Sequence, residues 1–464
     1  MGTERREFLK GVAWMGSLAA LGGCVCGREA AGGIKGAPMM GFRTKPMARV
    51  RVGFVGLGNR GADAVRRVAH IPGVEIAAIC DYRQERIDYT QGLLKEIGHA
   101  PAKAYVGPEG YRRLCAAADV DVVYNATHWQ QHMPVAREAL QCDKHVFIEV
   151  PAVMTVDDCW ELVETAERKK LHCMQLENSC YGEVEMMCVE MVRKGLLGEI
   201  VSGECGYIHD LRPNGYRDNW NYDYWRLKWN LKHRGNQYPT HGISRLAWQM
   251  DINRGDRFDY LVSLDTAATN LKRYAEANFP ADSWKNRETP AMADVNTTLI
   301  RTANGHSITV VHDVSSPRPY SKETTLVGTR GIFRSTNPVQ FGWEEKNGAG
   351  VHEFFPEARI KEECAKNASP IWRKWGEIAK SAGGHGGLDF ITDLRWAYCL
   401  QNGLPLDQDV YDLASWCSIC ELSERSANNR SAAVDVPDFT RGAWREKRPL
   451  PDFDVDFASM GRKS

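Results

Sequence analysis

One stretch near the N-terminal side of the chain constrains the fold more than any other. Arg51–Val55 (Arg-Val-Gly-Phe-Val) has the near-continuous hydrophobicity of a parallel strand buried on both faces. It runs directly into Gly56-Leu57-Gly58-Asn59-Arg60-Gly61, then a helical pattern over 62–70, then a second apolar run, Val74–Cys80, that closes on Asp81. Strand, glycine turn, helix, strand and acid in that order match a dinucleotide-binding unit. The first glycine allows the tight turn, the second lets a pyrophosphate approach the backbone, and the third lets helix and strand pack closely. The helix N-terminus then offers amides and a favourable dipole to the phosphates. Asp81 stands where an acid holds the adenosine ribose hydroxyls. A carboxylate there favours NAD, because it repels a 2′-phosphate; Arg83 leaves NADP open.

The pattern continues as an α/β unit. A strand over 120–126 ends in Thr127-His128-Trp129-Gln130-Gln131-His132, a helix follows over Met133–Gln141, and a strand over His145–Glu149 leads into Val150-Pro151. Ligands of open parallel sheets bind at the carboxyl ends of the strands. Trp129, Gln130, His132, Glu149 and Val150 are therefore candidates for the nicotinamide half of the cleft. This predicts an N-terminal Rossmann dinucleotide-binding domain over 48–172. From 173 to 464 the pattern changes to an α+β domain with a large, mainly antiparallel open sheet. Strand-like runs fall at 201–209, 260–266, 295–303, 306–312 and 323–328, with Asn304-Gly305 as a hairpin signal. Helical patterns fall at 183–194, 388–400 and 410–427, and Ser335–Lys380 has no readable pattern.

The first 47 residues read as an address and a linker. Arg5-Arg6-Glu7-Phe8-Leu9-Lys10 is a twin-arginine pattern. The apolar stretch 11–23 after it is shorter than the roughly 20 residues a membrane span needs. Leu21-Gly22-Gly23-Cys24 resembles a lipoprotein processing site, which makes Cys24 a candidate lipid anchor, and 27–47 reads as a flexible linker. Export to the periplasm or cell envelope is expected, in a state already folded. The 59 basic and 59 acidic residues balance, which excludes a nucleic-acid role resting on a basic excess. Among 14 cysteines, Cys417-Ser418-Ile419-Cys420 is the only C-x-x-C; it lies in a helical pattern with no second pair at zinc spacing, so packed thiols and no metal are expected.

The segment richest in chemistry is Arg234-Gly235-Asn236-Gln237-Tyr238-Pro239-Thr240-His241-Gly242. Tyr238 and His241 are three residues apart at the start of an apolar helix and can face one cleft. A histidine there can act as acid or base near neutral pH.

These pieces in order, with Ala126-Thr127 leading to His132 and Lys144-His145-Val146 leading to Glu149-Val150-Pro151, resemble the glucose–fructose oxidoreductase, inositol dehydrogenase and rhizopine catabolism superfamily. Dehydrogenase members have lysine where Val150 stands. That replacement, Glu177-Asn178-Ser179-Cys180-Tyr181-Gly182, the Tyr238–Gly242 run and the N-terminal address together resemble glycoside hydrolase family 109, the NAD-dependent α-N-acetylgalactosaminidases. The resemblance implies that Asn59, Arg60, Asp81, Trp129, Gln130, His132, Glu149, Val150 and Asn178 touch NAD. It implies that Tyr207, Arg226, Tyr238 and Tyr320 hold the sugar, that His241 with Tyr238 is catalytic, and that Tyr181 is a candidate base at C2. The implied partners are glycoconjugates ending in N-acetylgalactosamine. The implied reaction is transient oxidation at C3, elimination across C1–C2, addition of water and re-reduction with retention, on tightly held NAD. No pair of carboxylates in the usual glycosidase arrangement is then needed. Two alternatives remain: an exported NAD(P)-dependent sugar oxidoreductase and a non-catalytic NAD-binding regulator. A homo-oligomer is an expectation by analogy.

Overall fold

Two sheets and the helices between them account for the pattern. The computed structural model describes residues 37–217, 220–345 and 350–461; the twin-arginine pattern and Cys24 lie outside the described residues. The first sheet is built from β1 (Val50–Val55), α1 (Asn59–Val68), β2 (Val74–Asp81), α2 (Gln84–Glu96), β3 (Lys103–Val106), α3 (Gly110–Cys115), β4 (Val122–Asn125), α4 (Trp129–Gln141), β5 (His145–Ile148), α5 (Val156–Lys169) and β6 (Cys173–Gln175). Its six strands run parallel in the order β3-β2-β1-β4-β5-β6. The order reverses between β1 and β4, so a crevice opens beside their carboxyl ends. The Rossmann expectation is met, and α4 starts four residues earlier than its apolar period indicates, at Trp129.

The second half comprises α6 (Glu183–Arg193), β7 (Ile200–Ile208), α7 (Arg212–Gly215), α8 (Trp225–Asn230), α9 (Thr240–Gln249), β8 (Phe258–Asp265), α10 (Asn270–Asn278), α11 (Trp284–Arg287), β9 (Asn296–Thr302), β10 (Ser307–Asp313), β11 (Thr325–Gly328), β12 (Gly331–Arg334), β13 (Gln340–Trp343), α12 (Glu357–Asn367), α13 (Pro370–Ala382), α14 (Leu388–Asn402), α15 (Val410–Asn428) and β14 (Val434–Asp435). Eight strands form one sheet, β13-β12-β11-β7-β10-β9-β8-β14, antiparallel except for the parallel pair β7 and β10. Gly305, at φ +98°, closes the β9–β10 hairpin as Asn304-Gly305 predicts. The stretch without a readable pattern becomes β13, α12 and most of α13; α12 is charged on most sides and buries only Asn367, so its apolar period is weak.

α9 lies on one face of the second sheet, close enough that a side chain at Gly203 would strike Leu246. The opposite face carries exposed Tyr260, Leu264 and Leu299. α14 returns to the first sheet and packs beside α1, while α15 packs on α5 and β8. Residues 39–47 depart from the linker reading. Met39 is buried and its amide donates to the Tyr411 hydroxyl at 2.8 Å; Phe42 lies on the His172 ring at 4.9 Å. Burial of these apolar side chains ties the segment down. The twelve described cysteines are all free thiols, ten of them buried. Cys417 and Cys420 are both buried, and the Cys417 thiol donates to Gln175 Oε1.

Candidate active site

The nucleotide end begins at the glycine turn. Gly56 has φ +87°, and a Cβ there would lie 2.7 Å from the Ala126 backbone; one on Gly61 would lie 1.9 Å from the Gly56 carbonyl oxygen. Only glycine satisfies both places. Gly58 differs: a Cβ there would meet nothing closer than the Tyr222 ring at 3.8 Å, so the missing side chain leaves a cradle. α1 has no side-chain cap at its N-terminus, so its first-turn amides are offered to the crevice. Asp81 accepts from the Leu57 amide at 2.6 Å and from the Arg83 amide at 2.9 Å. Each oxygen keeps a lone pair for a hydroxyl. These features fit the phosphates and ribose of a dinucleotide.

Two of the expected cofactor residues, Arg60 and Asn178, converge on one carboxylate, Asp389. Arg60 binds Glu149 Oε1 through two nitrogens, at 3.0 and 3.2 Å, and donates to Asp389 Oδ2 at 2.8 Å. The Asn178 amide donates to the other Asp389 oxygen, and the His385 ring lies 2.9 Å from Oδ2. Burial alone would raise the Asp389 carboxyl; Arg60, His385 and Arg67 reverse this and hold it well below the usual carboxylate range. Asn59 is exposed and donates to the Trp220 carbonyl. Gln130 is exposed, with its Oε1 2.8 Å from the His128 ring. Trp129 is buried and donates to the Val150 carbonyl at 3.2 Å, joining the two loops at the strand ends.

The sugar end is built from rings. Tyr207, near the end of β7, stacks on Tyr238 at 4.4 Å, and His241, in the first turn of α9, stands edge-on to both, at 5.3 and 4.9 Å. Arg226 of α8 lies over the rings of Tyr238 at 4.7 Å, Trp129 at 5.2 Å and Tyr207 at 5.8 Å. Trp129 therefore belongs to both ends. Burial, with Tyr207 adding to it, pushes the Tyr238 phenol well above its ordinary range, so it stays a neutral donor. Tyr320 is at the rim, 59% exposed, with its ring against His209 at 5.3 Å.

The His241 ring is aimed by a carboxylate. Its Nδ1 is 2.7 Å from Glu177 Oε1, and Glu177 is fully buried. Burial opposes charge on Glu177. The His241 ring, the Ser179 amide and the Thr240 side chain outweigh it and hold the carboxyl below its usual range. A carboxylate on Nδ1 fixes the proton there and leaves Nε2 as the base.

Two expected residues do not reach the cleft with their side chains. His132 is 1% exposed, with its ring nitrogens 2.9 Å from the Pro151 carbonyl and 3.0 Å from that of Thr127. Burial drives its pKa down to about 4, so it is a neutral brace inside the wall. Tyr181 is a correction: it is fully buried against Trp248, and its hydroxyl is committed to the core, donating to Asp407 at 3.2 Å. Its place in a 3-10 turn, Asn178–Tyr181, points it into the core while Asn178 faces Asp389.

Known proteins resemble this chain in sequence and in fold. An oxidoreductase family with an NAD-binding Rossmann fold matches residues 50–176, and the C-terminal domain of glycosyl hydrolase 109 matches residues 181–446. The chain is 42% identical, over 89% of its length, to a glycosyl hydrolase family 109 protein of Shewanella woodyi, covering 90% of that protein. The chain belongs to glycosyl hydrolase family 109. It is also 42% identical to an alpha-N-acetylgalactosaminidase of Shewanella oneidensis, over 89% of this chain and 90% of that one. Among solved structures, levoglucosan dehydrogenase in complex with NADH and L-sorbose is similar in fold, with a TM-score of 0.63 at 18% identity, covering 84% of this chain and 99% of that one.

Sequence reasoning missed two residues of this family 109 site. Glu177 precedes Asn178 just beyond β6, at a strand's carboxyl end, and the sheet rule that selected Glu149 applies to it equally. Asp389 opens α14 behind Gly383-Gly384-His385-Gly386-Gly387, a run of five positive φ angles. That glycine run is its only local signal.

Proposed function

We propose that this family 109 chain is an NAD-dependent glycosidase that releases terminal α-linked N-acetylgalactosamine from glycoconjugates, by transient oxidation at C3, elimination across C1–C2, addition of water and re-reduction with retention. The observation that carries the reading is the Glu177–His241 pair, its imidazole edge-on to two stacked tyrosines. NAD, when bound, supplies reversible hydride acceptance and returns to its starting state each turnover. Asn59, Arg60, Asp81 and Asn178 would hold it, with Trp129, Glu149 and Val150 beside the nicotinamide half.

The residues of the chain do the rest. His241 Nε2 takes the proton of the C3 hydroxyl and later returns it, while Glu177 stabilises the imidazolium in between. Tyr207 and Tyr238 give the sugar a flat apolar wall, and the neutral Tyr238 phenol donates to it. Arg226 is a fixed cation that favours negative charge developing on the sugar as the C2 proton passes to a solvent water, from which C2 is reprotonated when water adds at C1. Val150 places an apolar side chain where dehydrogenase relatives carry a lysine, which removes their proton donor at the carbinol.

The twin-arginine pattern supports export of a chain already folded around its cofactor, with Cys24 as the lipid-anchor candidate. Exposed Tyr260, Leu264 and Leu299 on the open sheet face suit a homo-oligomer.

The test is turnover of a nitrophenyl α-N-acetylgalactosaminide in D₂O by protein whose NAD content has been measured. Release of nitrophenol with deuterium at C2 and no net NADH is expected. Protium retained at C2 overturns the elimination route, and accumulating NADH makes the chain a sugar oxidoreductase.

A further inference from the structure

His209 follows β7 directly. Side chains alternate along an extended strand, so His209 lies on the same face as Tyr207. Its ring meets Tyr207 edge-on at 4.7 Å and Tyr320 edge-on at 5.3 Å, linking the buried tyrosine to the one at the rim. His132 is committed to two carbonyls, His241 to Glu177, and His145 to the His172 amide. His209 Nε2, by contrast, is buried and has no hydrogen-bond partner among the described residues. His172 Nε2 also lacks a partner among them, but that ring packs against Phe42 and His145. A buried polar atom without a partner is costly, and such an atom in a cleft is satisfied by what binds there. Burial, then Arg226, then His241 push the ring down to about 4, which keeps it neutral. Its ring contacts with Tyr207 and Tyr320 place it in the same cleft as the sugar residues.

We propose that His209 reads the substrate: its Nε2 hydrogen-bonds a ring hydroxyl of the bound sugar in the gap between Tyr207 and Tyr320. A hydroxyl both donates and accepts, so it satisfies either tautomer of a neutral imidazole. The inference rests on the glycosidase reading for the identity of the sugar and not for the position of the subsite.

The test uses the NAD-loaded protein and three variants. His209→Phe keeps a flat ring and removes both nitrogens. His209→Gln places an amide nitrogen near the Nε2 position, and His209→Asn reaches only as far as Nδ1. For a nitrophenyl α-N-acetylgalactosaminide, H209F is expected to raise KM about 5- to 10-fold, the effect of one hydrogen bond to an uncharged group. Its kcat should move less and its NAD content not at all; H209Q should recover most of the KM and H209N should not. With monodeoxy analogues of N-acetylgalactosamine as inhibitors, loss of the partner hydroxyl should weaken the unaltered protein by the same factor and H209F no further. The proposal falls if H209F weakens every analogue in proportion, or if H209Q behaves as H209F. Tryptophan-fluorescence titration with free N-acetylgalactosamine separates the two readings. An unaltered protein that binds the sugar through His209 and cleaves nothing overturns the glycosidase reading and leaves this subsite standing.

Discussion

The two ends of the cleft are held by different forces. The nucleotide end consists of backbone and charge: a glycine turn, an uncapped helix start and a carboxylate, Asp389, shared by Arg60, Asn178 and His385. The sugar end consists of stacked and edge-on rings around a single carboxylate–imidazole pair. Charge pairs in low dielectric fix position firmly and lose much when one partner goes. Rings tolerate small displacements because their contact energy is spread over many atoms. Changes at the nucleotide end should therefore alter what is bound, and changes at the sugar end how fast it reacts.

The largest expected break is His241→Ala, which should lower kcat about 10²–10⁴-fold, the range for loss of a general acid–base, with NAD content unchanged. An unchanged rate, measured with the nitrophenyl substrate, removes His241 from the chemistry. Glu177→Gln comes next. It keeps the shape and removes the charge behind the imidazole, and kcat should fall about 10- to 100-fold, the range for residues that orient a reacting imidazole from behind. Asp389→Asn should act at the other end, weakening NAD retention about tenfold or more by leaving Arg60 and Asn178 without their shared anion. Its turnover should recover on adding NAD, and titration of the stripped protein with NAD measures the change.

The smallest and broadest effect is on acid stability. Burial drives His132, His145 and His209 down to about 4, and His172 and His312 down to about 3. The unfolded chain binds those protons from about pH 6.5 downward while the folded chain refuses them, so each histidine lowers stability as pH falls from about 6.5 toward its folded value. Asp393 and Asp409, raised to about 6, work the other way over the same window. Five groups against two leave a net loss, so Tm should decline steadily from pH 6.5 to pH 4. A flat Tm across that window would show that the histidines are not held neutral. Three of the five are in the first sheet's half, and His172→Phe, which removes one of the two largest shifts, should flatten the decline.

Legibility divides along the same line. Gly56–Gly61 and Asp81 could be read because their chemistry is local: a turn, a helix start and an acid at fixed spacing. Tyr238 and His241 could be read because they are three apart on one helix start. Glu177 and Asp389 could not be paired with their partners from the sequence, since they are 64 and 329 positions from His241 and Arg60. Tyr181 shows the reverse failure: the residue pattern marks it, but a single 3-10 turn rotates it into the core beside Asp407. Residues 39–47 fail for a similar reason, because their composition reads as linker while Met39 and Phe42 find apolar partners far along the chain.

By itself the sequence determined the parallel sheet, its dinucleotide turn, the mainly antiparallel second sheet and the family, because hydrophobic period, glycine geometry and short motifs are local properties of the chain. The tertiary structure alone decided which side chains meet in the cleft: Glu177 behind His241, Asp389 between Arg60 and Asn178, and His209 between two tyrosines. Those contacts depend on how β7, α9 and α14 cross, and crossing is set by the packing of whole elements.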